Sequence, residues 1–73
     1  MEKVENMDYI SMIGNNLRRI RKEKKLSIFT VSLELQMSHH HLGDIERGQT
    51  NPQIKTLARL TDYYGIHMKE LFE

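Results

Sequence analysis

Two serine-led helical segments with almost nothing between them are the tightest constraint on this chain. They lie in the stretch SIFTVSLELQMSHHHLGDIERG, from Ser27 to Gly48. A serine at an N-cap offers its side-chain oxygen to a backbone N–H one turn into the helix. Leu26 and Val31 flank the first cap at N′ and N4, and Met37 and Leu42 flank the second, so each start also carries a hydrophobic staple. The first helix is expected from about Ile28 to Leu35. The second is expected from Ser38 to Arg47, with Gly48 as its C′ residue. Gln36, Met37 and Ser38 alone separate them. A turn that short holds two helices at a steep, fixed angle, the helix-turn-helix arrangement over residues 28–47.

The two faces of this unit segregate. Val31, Leu35, Met37, Leu42 and Ile45 fall at helical spacing and can hold the pair against a core. His39, His40, Gly43, Asp44 and Arg47 are left on the outer side of the second helix. Small and polar residues there suit a helix entering a groove about 12 Å wide. A plain helical bundle with a polar surface helix would show the same caps and spacing, and both readings stand at this point.

The flanks extend the helical pattern. Residues 1–8 lack a clear period and read as a flexible N-terminal arm, leaving residues 9–73 as the domain. Ile10, Ile13, Leu17 and Ile20 make one stripe of a helix from near Tyr9 to Glu23 or Lys24. After Gly48, Asn51 suits an N-cap and Pro52 the first position of a fourth helix. Ile54, Leu57, Ala58, Thr61 and Tyr64 would form its inner face, with Gly65 beyond its end. A fifth short helix is expected over about His67 to Phe72. No segment reads as a strand.

Composition sets limits on partners and chemistry. The chain has 73 residues, no cysteine and a net charge of +1. A chain this short buries only about 60% of its unfolded surface, and here neither disulfide nor thiolate metal site can add to that. Charge is uneven, however: Arg18 to Lys25, RRIRKEKK, holds six basic side chains and one acid just before the paired helices. Some of that run can add a phosphate-attracting field, although a basic helix face can equally be a solvated one. No apolar run approaches the roughly 20 residues of a membrane span, and no signal-peptide pattern is visible, so the cytoplasm is the expected location. No phosphate-binding glycine loop, nucleophile–base arrangement or facing pair of acids points to an enzyme. No cofactor is called for. His39, His40 and His41 are consecutive on a helix and point in directions about 100° apart, so they are not expected to share a metal ion.

The order of these pieces resembles the lambda-repressor/Cro-like helix-turn-helix family, also called the XRE family. The resemblance runs from Ile13 to Phe72 and is carried by IGNNLRRIRKEKKLS, the LQMS turn, DIERG at Asp44 to Gly48, Asn51-Pro52, Leu57 and YYGIHMKELF. The short length and the DIERG run are also similar to controller proteins of restriction–modification systems. The resemblance implies an all-α, five-helix DNA-binding domain, acting as a homodimeric transcriptional regulator on a pseudo-palindromic stretch of double-stranded DNA. It makes residues 38–47 the recognition helix and puts the base-reading positions on His39, His40 and Asp44, with His41 at the edge. A histidine N–H can reach guanine N7 or O6. Asp44 could accept from cytosine N4, or hold His40 one turn earlier.

Backbone contacts are expected at the helix starts near Ser27, Ser38 and Asn51, where free N–H groups and a positive dipole end face outward. The resemblance adds a loop of Arg47, Gln49, Thr50 and Asn51 along the phosphates, with Lys55 nearby. It also pairs Glu46 with Arg21 as a structural ion pair. Three departures stand out. Ile28 replaces a common glutamine. Gln36 replaces the usual turn glycine; if Gln36 is left-handed there, about 1–2 kcal/mol of strain is expected. Phe29 and Leu33 replace residues that are commonly charged. One reading folds Phe29 back over Leu26. The other makes Phe29 and Leu33 an outward apolar patch for a protein partner, the basis of an alternative function as a protein-binding module of antitoxin or anti-repressor type. Dimer contacts are expected at Tyr63, Met68, Leu71 and Phe72.

Overall fold

A computed structural model describes residues 8–73, and the expected arm falls outside it except for Asp8. Helix α1 spans Tyr9–Glu23, α2 Ile28–Leu35, α3 His39–Glu46 and α4 Ile54–Tyr64, followed by a 3-10 helix, Met68–Phe72. The described residues are therefore all-α, with four α-helices rather than five. The five-residue closing segment is too short to complete many i→i−4 rings, and the tighter i→i−3 pattern satisfies more of its donors. Its start is tied by a hydrogen bond of 3.0 Å from the His67 backbone N–H to Glu70 Oε2. No described helix is long and apolar enough to cross a membrane.

Asp8 does not belong to an arm. Its carboxylate accepts from the Ser11 backbone N–H at 3.1 Å and from the Ser11 hydroxyl at 2.8 Å, capping α1. Those bonds hold its carboxyl below the usual range. The two serine caps form as the sequence predicts. Ser27 Oγ accepts from the Thr30 N–H at 3.0 Å, and Ser38 Oγ accepts from the His40 and His41 N–H groups at 3.1 and 3.3 Å. Arg47 is the C-cap of α3, and Gly48 follows in the left-handed region at φ 72°.

One core joins all the elements: Ile13, Leu17, Ile20, Val31, Leu42, Ile45, Leu57, Leu60, Tyr64 and Leu71. Ile10, Leu26, Leu35 and Met37 are half-buried. Ile28 is half-buried and packs against the core. Ile54, expected on the inner face of α4, is exposed, because α4 starts later than its Asn-Pro pair suggests. Gln53 is the residue at its N-cap, extended and with no side-chain cap bond, and residues 51–53 are loop. The fixed φ of proline suits such a loop as well as a helix start.

Helix α3 lies unusually close to α1. A Cβ built on Gly14 would sit 2.4 Å from the Ile45 carbonyl oxygen and 2.7 Å from that of Glu46. Backbone atoms of a packed helix cannot yield as a flexible side-chain end can, so no other residue fits without separating the helices. Gln36 does adopt the left-handed conformation, with φ 55° and ψ 47°, and Lys25 in the preceding loop joins it at φ 60°. Gly14→Ala is expected to lower stability by roughly 1–3 kcal/mol in urea unfolding, since it overpacks a backbone contact. Gln36→Gly is expected to raise stability by roughly 0.5–1 kcal/mol, the relieved strain less the entropy of glycine. A stable Gly14→Ala variant would show that α1 and α3 separate freely.

Candidate nucleic-acid interface

The rear of α3 is clamped. Arg21 Nε donates to Glu46 Oε2 at 2.8 Å and Nη2 donates to Oε1 at 3.0 Å, a two-point pair. Arg21 Nη1 also donates to the Leu26 carbonyl at 2.8 Å, so one guanidinium joins α1, the loop before α2, and α3. Both residues are buried, at 8% and 4% exposure. The Glu46 hydrogen bonds push the guanidinium further above its already high range. Tyr64 lies close by, and burial, aided by the Glu46 charge, pushes its hydroxyl up to about 12.

The front of α3 is open. His39, His40 and His41 are all exposed, and Asp44 is half-buried. Two features of this face were not visible in the sequence. Asp44 does not hold His40: its Oδ1 accepts from Arg47 Nη2 at 2.7 Å. A flexible guanidinium three residues on outcompetes an imidazole one turn back. The Arg47 side chain also covers Gly43, which is buried rather than outward. Second, His39 and His40 do not diverge: their rings stack with centroids 4.5 Å apart and planes 30° apart.

Around this helix, Ser27, Gln49, Asn51 and Lys55 are exposed and Thr50 is half-buried. Gln49 Nε2 donates to the Arg47 carbonyl at 3.4 Å, which folds the loop against the end of α3. Lys55 is the second residue of α4, and the outward N–H groups there belong to the Gln53 end rather than to Asn51. The basic run divides. Arg21 is consumed by Glu46 and Arg19 pairs with Glu23 at 3.2 Å, which leaves Arg18, Lys22, Lys24 and Lys25 as exposed charge without a described salt bridge.

The profile of the helix-turn-helix family matches residues 17–71. This chain belongs to the lambda-repressor-like, or XRE, helix-turn-helix family of DNA-binding transcriptional regulators. It is 40% identical over 57 residues to the HTH-type transcriptional regulator DdrOP3 of Deinococcus deserti, covering 78% of this chain and 44% of that protein. The chain thus spans less than half the length of that relative. Among solved structures, the restriction–modification controller protein C.AhdI from Aeromonas hydrophila is 30% identical with a TM-score of 0.80, covering 86% of this chain and 96% of that one. The BldD DNA-binding domain of S. venezulae is 34% identical with a TM-score of 0.78, covering 86% and 94%.

Within this XRE-family member, the surfaces expected for partners are uneven. Phe29 and Leu33 are outward, at 61% and 64% exposure, so Phe29 does not fold back over Leu26. Leu71 is not a surface residue: it is fully buried, because the 3-10 turn places it with Met68 on the inner side. Its carbonyl accepts from Asn16 Nδ2 at 2.8 Å. Met68 is half-buried against the core, and the Tyr63 hydroxyl donates to Glu34 of the same chain. Phe72 is partly exposed, with its ring 6.3 Å from that of Tyr9.

The buried pair generates a stability prediction. Glu46→Ala strands the Arg21 charge and is expected to cost about 3–5 kcal/mol. A 73-residue domain has only about 4–11 kcal/mol in all, so the loss is a large share of its stability and the unfolding midpoint falls well below that of the wild type. The double variant R21M/E46L is expected to unfold at higher denaturant than either single variant. A double variant that loses the sum of the two single losses would show that the two charges are not coupled.

Proposed function

We propose that this chain is a sequence-specific transcriptional regulator that inserts α3 into the DNA major groove and acts as a homodimer on a pseudo-palindromic operator. The observation that carries this is the contrast between the two sides of α3. Leu42, Gly43, Ile45 and Glu46 are locked inside, while His39, His40 and His41 are exposed. A rigid helix with an unobstructed polar face is what groove reading requires.

His39, His40 and His41 are the base-reading residues of this proposal. The Asp44–Arg47 pair stands beside them. Asp44 then meets DNA with its charge partly neutralised, and Arg47 is held toward the phosphates by its carboxylate. Ser27, Ser38, Gln49, Thr50, Asn51 and Lys55 supply hydroxyls, amides, helix-end N–H groups and one ammonium along the backbone. Two such units related by a two-fold axis would meet half-sites about one helical turn apart. Phe72 is the exposed candidate for that dimer contact, and Tyr63 and Met68 are half-buried candidates. The site of action in this reading is the cytoplasm.

Selection from a random duplex pool, followed by titration across salt concentrations, tests the reading. A two-fold symmetric consensus is expected, with affinity falling steeply as salt rises. Lys55→Gln is expected to weaken all duplexes alike and to reduce the log–log salt slope by about one per bound protomer. The alternative of a protein-binding module draws on the outward Phe29 and Leu33. Absence of any DNA enrichment, together with retention of a protein partner that depends on both residues, would favour it.

A further inference from the structure

Consecutive residues of a helix do not normally face each other, being about 100° apart around the axis. The stacked rings of His39 and His40 therefore need a cause outside α3. One is present across the turn. The Phe29 ring lies 6.1 Å from that of His39, tilted by 60°, a separation and tilt at which aromatic rings attract. Phe29 sits in the first turn of α2, which is capped by Ser27 and anchored in the core by Val31. His39 is the first residue of α3. The order Phe29, His39, His40 is thus a tier of three rings bridging the two helices.

Resting on the DNA-binding reading above, we propose that Phe29 is a specificity-determining positioning residue, which holds His39 against His40 so that both imidazoles meet the base edges as one preset unit. An exposed ring left alone at a helix start samples several rotamers and loses that freedom on binding. A ring already confined loses less, and it offers its N–H in fewer directions. Leu33, one turn further along α2 and as exposed as Phe29, makes no such tier and serves as the internal control.

The test uses the full chain and the duplex it enriches from a random pool, compared with a scrambled duplex. Phe29→Ala is expected to reduce the ratio of the two affinities by about 3- to 10-fold. The loss should fall on the same base positions whose preference disappears in His39→Ala. Affinity for the scrambled duplex and the thermal midpoint should not move. Phe29→Tyr should restore the ratio, and Leu33→Ala should leave it unchanged. An unaltered ratio in Phe29→Ala, an equal loss on the scrambled duplex, or a failure of tyrosine to rescue would each overturn the role of Phe29. A wild-type chain that enriches no sequence at all would overturn the DNA-binding reading and this inference together, whereas a selective wild type with an indifferent Phe29→Ala overturns the inference alone.

Discussion

The guanidinium of Arg21 is the point on which the placement of α3 depends. Its three donors reach Glu46 twice and the Leu26 carbonyl once. Glu46 ends α3, where the helix dipole disfavours a negative charge, and it is almost wholly removed from water. Without a fixed cation such a carboxylate would not remain buried. The pair need not stabilise the domain relative to an apolar substitute, because desolvation offsets much of the attraction. Its geometric demand is stricter than that of apolar contacts. A two-point ion pair has one good orientation, so it fixes the roll of α3 about its own axis, and the roll decides which residues face outward.

The Gly14 contact supplies the other coordinate. Carbonyl oxygens of Ile45 and Glu46 lie where a Cβ of residue 14 would be, so α1 and α3 touch backbone to backbone at the level of the ion pair. Distance is set by the glycine and rotation by the arginine, both at the C-terminal half of α3. The N-terminal half is set differently, through the Ser38 cap and the three-residue turn. There the position of His39 is shared with α2 by way of Phe29. Clamping at one end and aromatic contact at the other leave the middle of the outer face clear of the bundle.

Much of this was legible in the sequence because short-range chemistry fixes it. Ser27 and Ser38 cap whatever helix follows them, and a three-residue gap allows few geometries. The left-handed Gln36 was legible only through the family resemblance, which puts a glycine at that turn position. The Arg21–Glu46 pair came from family resemblance; no local rule links residues 25 apart. What escaped the reading was competition. Asn51-Pro52 fits a helix start and a loop equally, and here it precedes a helix that starts at Ile54. Asp44 had His40 and Arg47 within reach, and the longer, permanently charged side chain took it. Leu71 looked like an edge residue until the 3-10 turn rotated it inward. Gly14 was simply one more residue on a helix, since nothing in a single sequence reveals which backbone will approach it.

The distribution of charge bears on how such a surface discriminates. The basic run before α2 looks like a broad phosphate-attracting field, yet two of its arginines are paired with acids, and Arg47 is drawn to Asp44. With a net charge of +1, the attraction that holds the chain on arbitrary DNA rests on the exposed Arg18, Lys22, Lys24 and Lys25 rather than on the whole run. Sequence-independent binding is largely this electrostatic component, so weakening it lowers the background against which a correct site must compete. A larger share of the binding energy must then come from groups that see the bases. In the proposed reading, a preset pair of imidazoles beside partly neutralised charge favours discrimination over raw affinity.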